Sequence, residues 1–424
     1  SVQAYHPMLR AKFRETGEQE IMAQPYSQQI TIYDMSHMTP GVVKQELLDI
    51  RTKLSHRKLK VEQGEVAGLT ISLLPDDKTR IHLDIDLLVA DVMSMSIIIR
   101  DLARAYDGRV FQRDDHSITF KDYMANKGSR TKEEEEKDRL YWQEKVAEIG
   151  QEVPSIPLKI KPELIERPEF VRRKKVVSKE TWSLLKQKAA AYQHTPSMFL
   201  LTCYGLVLER WCEQSSFWMN LPLFNRGEMN KDVQEMVADF TNLLLVDFHR
   251  EDISTFIRTM DAVKKRFIKN VEHSNYSGVK VQRDIFKAKG SSGFVAPFVF
   301  ACNVDTPLEN ELSQKHFGQL SYMISQTPQV WLDFQTYVKD GELILAWDAV
   351  EDLYPEGLID DMFSALVTLI ERMAYEEDWA IAVDVLPAGQ KKTRLEELSS
   401  ILPLDYPDKL LYTDFLTCVK KAPG

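Results

Sequence analysis

Cysteine is scarce in this chain: Cys203, Cys212, Cys302 and Cys418 are all that 424 residues contain. They show neither C-x-x-C spacing nor a histidine at zinc-ligand distance, which excludes a disulfide framework or a zinc site as the organising device and fits a reducing cytoplasm. No apolar run approaches the roughly 20 residues that a membrane-spanning helix needs, and no basic-then-apolar leader opens the chain. Concentrated positive charge is missing too. The net charge is -10 and Lys and Arg are scattered, so neither nucleic acid nor an anionic membrane is expected as a partner. There is no repeat with a period of roughly 20 to 50 residues. There is also no G-x-x-x-x-G-K loop and no G-x-S-x-G elbow, which demotes phosphate-driven and serine-hydrolase chemistry.

What remains is an acidic chain with 44% hydrophobic residues, long enough for two or three globular units with real cores. It begins at Ser1 rather than Met, which predicts a piece of a longer protein. Residues 81 to 94 are the pivot. Ile81, Leu83, Ile85 and Leu87 alternate with His82, Asp84 and Asp86, as in a half-buried strand. From Val92 the period becomes helical, with Val92, Met95, Ile98, Ile99, Leu102 and Tyr106 on one face and Asp91 at the N-cap position. Polar groups thus gather at a strand-to-helix corner. Asp91 reads either as a cap or as a catalytic acid, and Asp86 either as the partner of an arginine or as a second acid.

Upstream, Gln19 to Met22 and Ile30 to Tyr33 read as short strands, 43 to 54 as an amphipathic helix, and Val66 to Leu74 with Ile81 to Leu87 as a hairpin across Pro75-Asp76-Asp77. Downstream, Thr131 to Lys137 opens a helix whose charge run is a solvated face. Pro154, Pro157, Pro162 and Pro168 predict an extended connector over 153–168, dividing an N-terminal lobe (1–152) from a C-terminal lobe (169–386). In the second lobe Phe170 to Val177 reads as a strand, Thr195-Pro196 caps a nearly all-apolar helix to Trp211, and Phe217 to Leu223 and Pro297 to Cys302 are short strands. Helices are expected over Ile253 to Val271 and Leu358 to Met373. Beyond Leu386 the sequence loosens, and 410–424 reads as the start of another domain.

The strongest hairpin signal is Asp340-Gly341, between Val330 to Val338 and Glu342 to Trp347. If those two residues form the turn, counting back sets Asp333 directly opposite Asp348, beside Trp331. Like charges at cross-strand distance repel, so one carboxyl should hold its proton to higher pH.

Several separated segments resemble the heterocyclization domains of nonribosomal peptide synthetases, in that family's order. These are His6-Pro-Met-Leu-Arg10, Asp86-x-x-x-x-Asp91-x-x-Ser94, Val153 to Leu158, Thr195-Pro-Ser with Leu208-Glu-Arg-Trp211, Leu223-Phe-Asn-Arg226, Ala238-Asp-Phe-Thr-Asn-Leu-Leu-Leu245, and Ser325 to Asp333 with Trp347-Asp348. The resemblance implies an α/β fold of two chloramphenicol-acetyltransferase-like lobes in a V-shaped pseudo-dimer, with the site in a tunnel between them. It implies donor and acceptor carrier proteins, an adjacent adenylation domain, and substrates carried on phosphopantetheine, with no cofactor bound by the domain itself. The implied reaction joins an acyl thioester to carrier-bound Cys, Ser or Thr and closes the product to a thiazoline or oxazoline, as in siderophore synthesis.

For that chemistry Asp333 is the first choice as proton-transfer residue, with Gln329 as its hydrogen-bond partner. Asp86 and Asp91 are further candidates, and Ser94, Thr327 and Asp348 are supporting residues. Ala301 is the departure, because Pro297-Phe-Val-Phe-Ala301-Cys302 stands where the family has Pro-Val-Val-Phe-Thr-Ser. The lost threonine leaves a condensation-only domain, or a noncatalytic scaffold that docks carrier proteins, as alternatives. His82-x-x-x-Asp86 imitates the H-x-x-x-D of ordinary condensation domains in the wrong frame, so His82 reads as structural.

Overall fold

A computed structural model describes residues 1–27, 29–111, 118–126, 132–149, 155–166, 168–224, 226, 231–288, 296–327, 329–400 and 421. Of the features above, Thr131, Val153, Pro154, Asn225, Pro328, Cys418 and all of 410–424 except Lys421 lie outside the described residues. The chain separates into two units, Ser1–Val383 and Asp384–Gly424. In the second, a helix, Ala388–Ser400, stands where a loose linker is expected, and Lys391 pairs with Asp384 at 2.8 Å.

The strands of the first unit are β1 (Ala11–Phe13), β2 (Gln19–Ile21), β3 (Thr31–Asp34), β4 (Ala67–Leu74), β5 (Lys78–Ile85), β6 (Phe170–Val177), β7 (Ser216–Phe224), β8 (Thr241–His249), β9 (Phe298–Asn303), β10 (Leu332–Lys339) and β11 (Glu342–Val350). They form a β1-β2 pair, an N-terminal sheet in the order β3-β4-β5, and a C-terminal sheet in the order β6-β11-β10-β9-β7-β8. The fold is therefore α/β in two lobes, with the larger sheet in the second. Asp76 and Asp77 turn the β4–β5 hairpin at φ 60° and 54°, a left-handed conformation that aspartate tolerates better than most residues.

Alternation divides the large sheet into two unlike faces. On one, Phe300, Phe334 and Trp347 lie in a row around Tyr204 of the helix Pro196–Trp211, with ring centroids 5.2 to 6.2 Å away. That helix starts as its sequence predicts: the Thr195 hydroxyl accepts the Met198 N–H, Pro196 occupies the first turn, and Met198 to Leu208 are all buried. The other face carries the polar residues of the site. β8 escaped the sequence reading because Leu243 to Val246 is a continuous apolar run with no period of two. It lies at the sheet's end, packed by the helices Phe256–Glu272 and Gly278–Ala288.

The Val92–Tyr106 helix forms as expected, with Ile98 buried and Met95 and Leu102 packed on the core, but its most buried stripe is rotated toward polar positions. Ser94, Ile97, Ile98 and Asp101 face inward, while Tyr106 is 73% exposed. The reason is polar: Asp101 takes His6 at 3.0 Å and Arg104 at 3.1 Å, and Ser94 bonds the Ala238 backbone. A helix rolls toward the face where its buried polar groups are satisfied. Val233, Val237, Ala238 and Phe240 enter the same core as Met8, Leu9, Ile97 and Ile98, so a C-terminal segment closes the N-terminal lobe. Among the described residues no helix is long and apolar enough to cross a membrane.

Candidate active site

The β10–β11 hairpin turns at Asp340 and Gly341, with φ 51° and 85°. Both are left-handed, as a two-residue turn matched to strand twist requires. Lys339 faces Glu342, and Asp333 stands directly opposite Asp348, in the register counted from the sequence. On the far side of β11, Asp348 faces Arg172 of β6; on the far side of β10, Asp333 faces Val299 and Gln335 faces Ala301. Asn220 of β7 is the next neighbour of Val299. These residues share one face, with Asp333 and Asn220 two strand spacings apart, about 10 Å.

Hydrogen bonds make this row a circuit. Arg172 donates Nε to Asp348 Oδ1 at 2.6 Å and Nη2 to Asp348 Oδ2. Its Nη2 also reaches Gln335 Oε1 at 2.8 Å. Gln335 Nε2 then donates to Asp333 Oδ2 at 2.6 Å. Asp333 Oδ1 and Asn220 Oδ1 are buried with no hydrogen-bond partner. Unpartnered buried oxygens are rare, and at a site they read as acceptors awaiting a ligand.

The Asp333 carboxyl is pushed up to about 7, first by burial; the Gln335 N–H opposes this, the Asp348 charge adds to it, and the Arg172 cation opposes it. The sequence argument named repulsion as the source, and burial is the larger cause. Burial lifts Asp348 above its ordinary value as well, countered by the hydrogen bonds and charge of Arg172. The proton near neutrality therefore belongs to Asp333, the carboxyl without a cation in its grip.

The corner acids form a separate cluster. Asp91 is 3% exposed and caps its helix by accepting the Ser94 N–H at 2.7 Å. It also pairs with Arg226 Nη2 at 2.9 Å, and that same nitrogen donates to Ser94 Oγ at 2.9 Å. Arg226 reaches back to the carbonyls of Val233 and Met236. Asp86 is half-buried and accepts the Leu88 N–H at 3.0 Å, a turn contact, and no arginine among the described residues pairs with it. Among the described residues no interaction joins this cluster to Asp333.

Gln329 is not the partner of Asp333. It sits exposed at φ 70° in the turn before β10, outside the strand whose alternation would aim it inward. Gln335 takes the role because a residue two positions along a strand points the same way. Thr327 is exposed beside it, and Ala301 is buried alongside Gln335. His82 meets Ser72 Oγ at 3.0 Å and is pulled down by burial, with Arg80 and Arg51 adding to it, which suits its structural reading. Arg172 and Asn220 were missed because their roles arise from strands far away in the chain. Among the described residues no cluster of His, Cys, Asp or Glu is placed to hold a metal ion.

A profile of the family described as "Condensation domain" matches residues 1–393. Phenyloxazoline synthase MbtB of Mycobacterium tuberculosis is 34% identical over 398 residues, 92% of this chain and 28% of that protein. Pyochelin synthetase PchE of Pseudomonas aeruginosa is 31% identical over 424 residues, 100% of this chain and 29% of that protein. The chain thus spans under a third of the length of these curated relatives. Among solved structures, the EpoB cyclization-docking bidomain from Sorangium cellulosum superposes with a TM-score of 0.78 at 29% identity, covering 89% of this chain and 76% of that one. These are relatives of the kind that the spaced motifs resembled.

Proposed function

Because the chain belongs to the condensation-domain family of nonribosomal peptide synthetases, we propose that it joins a carrier-bound acyl thioester to carrier-bound Cys, Ser or Thr and then closes the new amide to a thiazoline or oxazoline. Donor and acceptor carrier proteins would present these groups on phosphopantetheine, with an adenylation domain adjacent in the assembly line. The observation that carries this reading is Asp333: a buried carboxyl with one unpartnered oxygen, titrating at about 7.

Ring closure needs a proton moved twice. The side-chain thiol or hydroxyl adds to the amide carbonyl, its proton leaving as the carbonyl oxygen becomes a hydroxyl. That hydroxyl then departs as water while the nitrogen loses its hydrogen to form the C=N bond. A group half-protonated near neutrality serves both steps, accepting at one and donating at the other, whereas an ordinary aspartate near 4 is too weak a base. Asp333 Oδ1 faces the substrate, and Gln335 holds Oδ2. Asn220, across Val299, offers a fixed acceptor for an N–H or O–H of the substrate. In this reading Asp91 and Ser94, both bound to Arg226, tie the corner to the second half of the chain, and Asp86 closes its own turn.

A loading assay with holo carrier proteins and mass spectrometry of the products tests this reading. Asp333→Asn should depress ring formation far more than amide formation. Ring made by the variant at near the unaltered rate would remove Asp333 from the mechanism. A second reading, condensation with weak cyclization, is favoured by Ala301, which leaves no hydroxyl beside Gln335.

A further inference from the structure

On the polar face of the large sheet, Arg172 reaches two members of the Asp333 circuit at once, and neither charge nor spacing announced it. Its side chain is 8% exposed and that of Asp348 is 0% exposed. All three donor nitrogens are engaged: Nε and Nη2 on Asp348, Nη2 also on Gln335 Oε1, and Nη1 on the Met323 carbonyl. A guanidinium only donates, so the end of the Gln335 amide that meets it must be the oxygen. The NH2 end is thereby turned toward Asp333.

We propose that Arg172 is the positioning residue of this site: by binding Asp348 and the Gln335 oxygen together, it decides which opposed carboxyl carries the proton and which end of the Gln335 amide meets it. The inference rests on the ring-closing reading and names the group that prepares its proton carrier. Asp348 is a buried anion that Arg172 holds in the ionised form, since a forked guanidinium matches both carboxylate oxygens. With Asp348 charged and Gln335 oriented, Asp333 Oδ1 is left as the carboxyl oxygen of this circuit without a partner among the described residues. Among the described residues the charged and titratable groups around Asp333 and its neighbours on this face are Asp348 on β11, Arg172 on β6, Tyr337 on β10 and Tyr322, while Tyr204 lies beneath the sheet on its other face. From β9 and β7 come only Val299, Ala301 and Asn220.

The test is pH-difference infrared spectroscopy of carboxyl groups in the intact protein, paired with the ring-to-open-amide ratio from the loading assay. In the unaltered protein one carboxyl should titrate near neutrality and vanish in Asp333→Asn, with Asp348 ionised at neutral pH. In Arg172→Gln a second protonated carboxyl should appear at neutral pH and vanish again when Asp348→Asn is added. The ring-to-amide ratio should fall on the order of tenfold to a hundredfold, as for other misplacements of catalytic groups. Arg172→Lys separates charge from geometry: Asp348 should stay ionised while the ratio still falls, because an ammonium cannot grip both partners. Two carboxyls titrating together in the unaltered protein would overturn the proposal. So would an Arg172→Gln with Asp348 ionised and an unchanged ratio and pH profile. Should Arg172→Gln fail to fold, the unaltered protein and Arg172→Lys decide. An unaltered protein that makes amide but never ring defeats the ring-closing reading instead, and the carboxyl spectra still judge Arg172.

Discussion

Asp333 has a thermodynamic signature separate from its chemistry. Its carboxyl rises on folding from 3.8 to about 7, so the folded state binds its proton more tightly than the unfolded chain does. Stability then falls as pH rises from about 4 to about 7 and stays low above, the reverse of a salt-bridged aspartate. The rise corresponds to about 4 kcal/mol at most. Asp333→Asn keeps an acceptor for Gln335 and removes the charge, so thermal melts at pH 8 should show the variant more stable than the parent, with the gap closing toward pH 4. A variant less stable at both pH values would mean that Asp333 is not ionising in a buried place. Ala301 is the second residue to probe. Ala301→Thr sets a hydroxyl beside Gln335, a hydrogen bond of about 0.5 to 1.5 kcal/mol, and should raise the ratio of ring to open amide in the loading assay. A ratio already near one and unmoved by the hydroxyl would make that group dispensable.

At the scale of elements, local signals were legible where the chain names its own partner. Asp340-Gly341 sets a register, and counting from it found Asp348 opposite Asp333 without any tertiary information. The same count reaches Gln335, on the same face two residues on, whereas Gln329, the expected partner, precedes the strand and has no fixed face by alternation. Arg172 is not readable this way, because its partner lies 176 positions along the chain and nothing local ties β6 to β11. The rolled face of the Val92–Tyr106 helix was hidden likewise, since its buried polar positions depend on Ala238 and His6. Gly205 shows how close the elements come. A Cβ there would sit 2.3 Å from the Phe248 ring. Helix propensity alone favours alanine by about 1 kcal/mol, but overpacking costs typically 1 to 3 kcal/mol. Gly205→Ala should therefore lower the urea midpoint, whereas a gain would show that β8 yields easily.

For the whole molecule the corner matters more than the hairpin. The cap at Asp91 is worth about 0.5 to 2 kcal/mol by itself. Its pairing with Arg226 is wholly buried, with side chains 1% and 0% exposed, and breaking such a pair costs about 3 to 5 kcal/mol. Asp91→Ala should thus lose stability on the larger scale. In a double-mutant cycle measured by urea unfolding, Arg226→Met should cost much less when Asp91 is already Asn. Additive losses would show that the two residues act independently. Activity lost from Asp91→Ala with an unchanged melting temperature would restore the acid to catalysis.

That buried pair also constrains how such a domain can be recombined. Asp91 comes from the first half of the chain and Arg226 from the second, and Arg226 further holds the carbonyls of the segment that completes the first lobe's core. A chimera joined at the proline-rich stretch would inherit one ion from each parent. Exchanges between homologues should therefore succeed when the acid, the arginine and residues 231–240 travel as one set, and fail when the crossover divides them.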